Sequence, residues 1–309
     1  MTAFDDLLAE VPVAIDGGFA TELEAMGEDL SSDLWSARLL EDGPAQVEAV
    51  HLAYLEAGAR VVITASYQAS VESFGTAGIP PSDAERLLAT SVTLAQAART
   101  RFVREHPDAP AALVAASLGP YGAMLAEGQE YTGDYGGAGV DAIEAFHHRR
   151  VGALLGPAPD LLAWETIPNL AEADAIARLQ ERFDGPPAWV SFQCRDGASI
   201  ADGSAIEDAV ERVAGAPGVR AVGCNCTAPE HVLELIGRCR AAAPHLAVVV
   251  YPNDGRIWDG ARREWATGGV GGFPAEAVRA WADAGASLIG GCCGVTPAGV
   301  AAIAAALRT

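Results

Sequence analysis

Short apolar runs rich in β-branched residues alternate along this chain with longer segments whose apolar positions recur at helical spacing. Eight runs stand out: Val11–Asp16, Val61–Ser66, Ala112–Leu118, Leu161–Glu165, Trp189–Gln193, Ala221–Asn225, Ala247–Tyr251 and Ser287–Gly291. Several are apolar at every position, as in Leu246-Ala247-Val248-Val249-Val250-Tyr251. That is the pattern of a parallel strand buried on both faces, and parallel strands need a crossover. The intervening segments are long enough for a helix each. Asp83 to Glu105, for example, sets Leu87, Leu88, Val92, Ala95, Ala98 and Phe102 on one face.

Helix starts are legible in the same pattern. Ser82-Asp83-Ala84-Glu85 and Thr227-Ala228-Pro229-Glu230 fit a capping box, and Asn169-Leu170-Ala171-Glu172 has the same form. Thr296-Pro297 sets a cap before a proline at the first helical position. Eight β/α units in 309 residues predict a single-domain (β/α)8 barrel over residues 1–309, with an open doubly wound sheet as the alternative. Residues 252–273 are rich in glycine and leave no room for another unit, so they read as a long loop after the seventh strand. Residues 119–138 read as a second such loop, after the third.

Composition narrows the chemistry. Half the residues are hydrophobic and 20% are charged, the balance of a globular domain. The net charge of −21 argues against nucleic acid and anionic membrane as partners, because both are polyanions. All 20 basic residues are arginine. The absence of lysine excludes Schiff-base mechanisms and the P-loop. No apolar run approaches the ~20 residues that span a bilayer. The opening Met1-Thr2-Ala3-Phe4-Asp5-Asp6 has no basic region followed by an apolar stretch, which predicts a cytoplasmic protein whose thiols stay reduced.

Six cysteines fall at 194, 224, 226, 239, 292 and 293. Gly223-Cys224-Asn225-Cys226-Thr227 and Gly290-Gly291-Cys292-Cys293-Gly294 each lie where a strand gives way to a turn. In a (β/α)8 barrel such positions share the C-terminal rim, where active sites sit. Adjacent cysteines seldom bond to each other, but two neighbouring thiolates at a turn can hold one metal ion. Three thiolates with an open fourth position are the catalytic form of a zinc site. Cys226 lies at the turn and is the expected third ligand; Cys224 lies one layer deeper and is expected in the core, with Cys194 and Cys239. Among the polar rim positions, Glu165 and Asp16 resist reading as turn residues. Each ends a buried strand, where a carboxylate needs a partner, and two carboxylates beside thiolates suit a substrate with an ammonium group. His147 and His148 fall on a helix away from the rim and read as surface or packing residues.

These segments, in this order, resemble the zinc-dependent homocysteine S-methyltransferases, more distantly betaine–homocysteine methyltransferase. The resemblance covers about residues 11 to 308. It rests on Asp16-Gly17-Gly18 with Ala20-Thr21-Glu22-Leu23, Thr64-Ala65-Ser66-Tyr67-Gln68, Gly119-Pro120-Tyr121-Gly122, Glu165-Thr166-Ile167-Pro168, Gly223-Cys224-Asn225-Cys226, Tyr251-Pro252-Asn253 and Gly290-Gly291-Cys292-Cys293-Gly294. It implies Zn2+ on Cys226, Cys292 and Cys293, and homocysteine held at Asp16, Gly17, Gly18, Glu165 and Asn225. It also implies Tyr67 near the fourth zinc position before substrate binds. The implied activity is transfer of a methyl group from a small sulfonium donor to the homocysteine thiolate, giving methionine. The length and the Thr-Ala-Ser-Tyr and Tyr-Pro-Asn segments point to S-methylmethionine as donor, with S-adenosylmethionine as a second possibility. Tyr121, Tyr131 and Trp258 are candidates to hold a sulfonium by cation–π contact. The family commonly has Arg after the cysteine pair, where this chain has Gly294. The competing readings are another metal-dependent barrel enzyme, such as a hydrolase or class II aldolase, and a non-catalytic thiol- or metal-responsive protein. The first would favour histidine and carboxylate ligands, yet the six histidines form no rim cluster.

Overall fold

The computed structural model describes residues 2–10, 12–28, 30, 38–255, 258–259, 264–265, 269 and 271–308, with the backbone alone at 258–259 and 264–265. Eight strands form one parallel sheet: β1 (Val13–Ala14), β2 (Val61–Ile63), β3 (Leu113–Leu118), β4 (Leu161–Ile167), β5 (Ala188–Phe192), β6 (Val219–Asn225), β7 (Ala247–Tyr251) and β8 (Leu288–Ile289). The order is β1-β8-β7-β6-β5-β4-β3-β2. Two more backbone bonds, Arg60 N to Ala14 O at 2.8 Å and Asp16 N to Val61 O at 3.1 Å, carry β1 onto β2 and close the ring. The expected barrel is therefore the one found, and the open sheet is not.

Strand alternation explains why the runs are apolar throughout. Ile15, Val61, Leu113, Ala115, Leu161, Ala163, Trp189, Ala221 and Val249 form one buried cluster inside the ring. Their neighbours Ala14, Val62, Val114, Ala116, Leu162, Trp164, Val190, Val222 and Val248 join a second cluster with the surrounding helices. The six apolar residues expected on one face of the helix Pro81–Glu105 are all buried there. Phe4 and Leu7, from a helix over Ala3–Leu8 that the pattern did not suggest, belong to the inner cluster. Asp5 of that helix pairs with Arg220 at the start of β6, at 3.2 Å. The end where the strands begin is thus stoppered, and the barrel opens at the other end.

Several local expectations need correction. The helix after residue 80 starts at Pro81 with Pro80 as its cap, so Ser82 does not cap it. Thr227 caps nothing either: it accepts from Cys194 N at 2.9 Å and donates to Asn225 O at 3.0 Å, tying together the chain after β5 and β6. Asn169 and Thr296 do cap, by accepting from Glu172 N and Gly299 N. The segment 252–273 contains a two-residue antiparallel ribbon, Trp258–Asp259 against Glu264–Trp265. The segment 119–138 contains a helix, Tyr121–Leu125, and a 3-10 turn, Gln129–Tyr131.

Arg150 went unremarked in the sequence and is central to the rim. Its helix, Val140–Leu155, carries the guanidinium under the turns after β2 and β3. It donates to Ala69 O at 2.9 Å, Gly119 O at 2.6 Å, Ser66 O at 3.1 Å and Tyr67 O at 3.0 Å, and lies 5.0 Å from the Phe146 ring. One planar fork satisfies four carbonyls that no ladder reaches. Arg150→Leu is expected to lower unfolding free energy by about 3 kcal/mol, because buried carbonyls lose their donors. Arg150→Lys should recover only part of that loss, since an ammonium cannot span the same fan. Urea denaturation of the three proteins measures both.

Candidate active site

The open end of the barrel brings the two cysteine segments together through β7, which lies between β6 and β8. Cys226 N donates to Tyr251 O at 3.2 Å, and Cys292 N donates to Pro252 O at 2.8 Å. In return Asn253 N donates to Thr227 O at 3.1 Å, and Asp254 N to Cys293 O at 3.0 Å. Four consecutive residues at the end of β7 thus fix both turns at one height. The three sulfurs lie within 4.8 Å of one another, with Cys226 Sγ 3.8 Å from Cys293 Sγ and Cys292 Sγ 4.0 Å from Cys293 Sγ.

Cys226 reaches this position by leaving the strand. Strict alternation would point it outward with Cys224, which is buried among the helix-facing residues. Its φ of +50° turns it instead. A left-handed non-glycine residue costs roughly 1–3 kcal/mol and persists only where its surroundings impose it. Cys194 and Cys239 are buried in the core, as expected. Glycines permit the close approach on the β8 side. A Cβ on Gly18 would stand 2.7 Å from the Cys292 carbonyl oxygen. Gly294 has φ +86°, and a Cβ there would meet the Asp254 carboxyl carbon at 2.2 Å. The space for a side chain after the cysteine pair is therefore taken by Asp254.

The carboxylates line the same cavity as the thiols, together with Gly17, Gly18, Tyr67 and Asn225. Asp16 accepts from Ile63 N at 2.6 Å through one oxygen, while its other oxygen is buried without a partner among the described residues. Glu165 accepts from the Ser117 hydroxyl. Tyr251 stands beside Glu165; its oxygen takes a bond from Trp189 Nε1 at 3.1 Å and shares one of 2.5 Å with Ser191 Oγ. Burial pushes Asp16 well above the usual carboxylate range, and the nearby Glu165 adds to the effect. Burial likewise pushes Glu165 up to about 7. No described cation pairs with either carboxylate.

Asn225 turns its amide on the chain itself. It accepts from Thr166 N at 2.7 Å and Ser191 Oγ at 2.8 Å, and donates to Thr166 Oγ1 at 2.8 Å. Thr166 has φ +61°, rare for a β-branched residue. Asn225 therefore holds the turn that aims Glu165. Tyr67 lies in the cavity wall, with its ring packed over Gly119.

The hydroxyl found against the thiols is that of Tyr131, 3.5 Å from Cys226 Sγ. Hydrogen bonds from Cys292, Cys293 and Tyr131 hold the Cys226 thiol well below its ordinary pKa, and the same sharing pushes Cys292 up. Tyr121 stands away from the cavity, its ring against Tyr135 and Phe146 at 5.3 and 5.2 Å. The side chain of Trp258 lies outside the described residues.

The sequence reading missed two further groups. Glu130, beside Tyr131, also lines the cavity. Glu172, fully buried, accepts from Tyr121 N at 2.7 Å and from the Tyr135 hydroxyl, and shares a 2.7 Å bond with His147 Nε2. His147 is thus a packing residue, and it helps to anchor the loop carrying Glu130. The capping pattern at 169–172 was visible, but a contact from Glu172 to a distant loop leaves no local signal.

A closed parallel barrel with three convergent thiols at its open end is an enzyme-like scaffold with a site that could hold a metal ion. Comparison with known proteins makes the class specific. The chain belongs to the homocysteine S-methyltransferase family, whose model matches residues 13–307. It is 44% identical over 292 residues to homocysteine S-methyltransferase of Escherichia coli K12, covering 94% of each chain. It is also 44% identical over 300 residues to homocysteine S-methyltransferase 2 of Zea mays, covering 94% of this chain and 88% of the relative. The metallated form of the E. coli homocysteine methyltransferase MmuM superposes with a TM-score of 0.87 at 42% identity, over 98% of this chain and 99% of that one.

Glu165 ties stability to pH. Its folded pKa of about 7 stands above the ordinary 4.5, so the folded state binds its proton more tightly. The associated stabilisation is complete below pH ~4.5 and is lost as pH rises through ~7, amounting to about 3 kcal/mol. Metal-free Glu165→Gln should therefore melt a few degrees above wild type at pH 8, with a much smaller gap at pH 5. Equal melting curves at both values would refute the burial argument.

Proposed function

We propose that this chain transfers a methyl group from a small sulfonium donor to the sulfur of homocysteine, giving methionine. S-Methylmethionine is the proposed donor and S-adenosylmethionine the second candidate. The observation that carries this reading is the convergence of Cys226, Cys292 and Cys293 in a cavity that also holds two buried carboxyl groups with no cation paired to them among the described residues.

The donor set fits zinc. Tetrahedral geometry with Zn–S of ~2.3 Å needs sulfurs about 3.8 Å apart, against the 3.8 and 4.0 Å found. Cys226, Cys292 and Cys293 would hold the ion, and the Tyr131 hydroxyl lies 3.5 Å from Cys226 Sγ. When bound, zinc supplies a Lewis acid that keeps an incoming thiol deprotonated at neutral pH.

The chain's own residues do the rest. Asp16 and Glu165 form a pair of buried carboxyl groups with no described ion-pair partner, and the homocysteine ammonium would offset the burial that raises both pKa values. Ser117 orients Glu165, and Asn225 fixes Thr166 next to it. Gly17 and Gly18 line the cavity, and their missing side chains let the Val295 and Cys292 carbonyls approach. Methyl transfer forms a bond from the homocysteine sulfur to the methyl carbon and breaks the methyl–sulfonium bond. The electron pair passes to the donor sulfur, which leaves as a neutral thioether. The donor's positive charge vanishes, so a water-poor pocket favours the transition state over the ground state. A cluster of three reduced thiols also suits a reducing compartment, and the cytoplasm is the proposed location.

Zinc-loaded protein is expected to form methionine from homocysteine with S-methylmethionine, measured by chromatography. Cys292→Ser should lose about one equivalent of zinc and that activity, while Cys224→Ser, in the core, should keep its zinc. No methionine with either donor, or full zinc retention in Cys292→Ser, would refute the reading.

A further inference from the structure

Asp16 and Glu165 do not exhaust the cavity's negative groups. Glu130 enters from the 3-10 turn Gln129–Tyr131, in the loop after β3. It is 8% exposed, and its Oε2 is buried without a hydrogen-bond partner among the described residues. No described arginine pairs with it. A carboxylate in that position is poorly solvated and waits for a cation or a donor.

The turn that carries it is firmly placed. A Cβ on Gly122 would stand 2.8 Å from Glu130 N, so the helix Tyr121–Leu125 seats directly on the Glu130 backbone. Glu172 fixes Tyr121 N on one side, and Asn169 Nδ2 donates to Gly133 O at 2.9 Å on the other. Tyr131, the next residue, reaches Cys226 Sγ. One rigid turn thus presents both a carboxylate and an aromatic hydroxyl to the thiol site.

Two substrates meet in this cavity, and Asp16 with Glu165 answers the ammonium of the acceptor. The donor brings its own charges. A carboxylate set against the sulfonium would stabilise the ground state more than the transition state, because that charge disappears on transfer. An α-ammonium on the donor keeps its charge throughout, so a carboxylate there strengthens binding without slowing the step. We infer that Glu130 is a specificity-determining residue that binds the α-ammonium of a sulfonium amino-acid donor. It selects such donors over sulfonium carboxylic acids that lack the ammonium. This rests on the methyl-transfer reading above. A donor without the ammonium leaves Glu130 unpaired in the cavity and adds a second carboxylate beside it.

The test compares zinc-loaded wild type with Glu130→Gln, which keeps the shape and removes the charge. Each is assayed with S-methylmethionine and with a dimethylsulfonio acid of similar length lacking the amino group. Binding of each donor alone is followed by calorimetry, and zinc content is measured. In Glu130→Gln the KM for S-methylmethionine should rise about tenfold, the worth of one charge-assisted contact, with kcat nearly unchanged. The homocysteine KM and zinc content should hold, and the preference for the amino-acid donor should shrink by a similar factor. An unchanged donor KM and preference, or a shift that falls on homocysteine instead, would overturn the assignment. If wild type transfers no methyl group at all, the methyl-transfer reading fails. Calorimetry then decides on Glu130 alone: weaker S-methylmethionine binding in Glu130→Gln supports its role, and equal affinity overturns it.

Discussion

The site depends on the end of β7. Tyr251, Pro252, Asn253 and Asp254 offer two carbonyls and two amides, and these bond to the cysteine turns on either side. Cys226 and Cys292 are 66 residues apart in the chain, yet their amides are held by consecutive carbonyls of one strand end. Parallel pairing makes this possible, because every strand ends on the same rim. The register Asn225 to Tyr251 and Ile289 to Val250 then sets the height of each thiol. The left-handed backbone at Cys226 and the bare Cα of Gly18 complete the approach. Without that staple the three sulfurs would have no common centre.

Around the thiols the cavity is electrostatically unfinished. Asp16, Glu165 and Glu130 are all buried in it, and all three have their pKa values raised by desolvation. An ordinary core would not keep three such groups without cations. Their shared desolvation favours a cation entering the cavity. Arg150, buried nearby, offsets part of that desolvation at Glu165 through its charge, but its guanidinium donates to four backbone carbonyls and forms no ion pair with the three groups. Glu172 is similarly spent on Tyr121, Tyr135 and His147. These two residues hold the walls and give the three carboxyl groups no ion pair.

Much of this was legible in the sequence because it is periodic or local. The double-sided apolar runs placed all eight strands, with ends off by a few residues where pairing stops short of the apolar stretch, as at β8. There the chain leaves the ladder after Ile289 to carry Cys292 to Pro252. The choice of Cys226 over Cys224 was readable from where the strand ends, although its cause, the left-handed turn, was not. Capping patterns succeeded at Asn169 and Thr296. They failed at Ser82, where prolines start the helix earlier, and at Thr227, whose hydroxyl joins two chain segments. Arg150, Glu172 and Glu130 were invisible because their meaning lies in contacts with distant loops. Tyr131, named only as an aromatic, has its hydroxyl 3.5 Å from Cys226 Sγ, in the cavity that Tyr67 also lines.

X-ray absorption at the zinc edge of the loaded protein tests the three-thiolate centre directly. The account predicts three sulfurs at ~2.3 Å with one lighter atom, becoming four sulfurs when homocysteine is added. A shell with fewer than three sulfurs, or one that does not change with homocysteine, would contradict it.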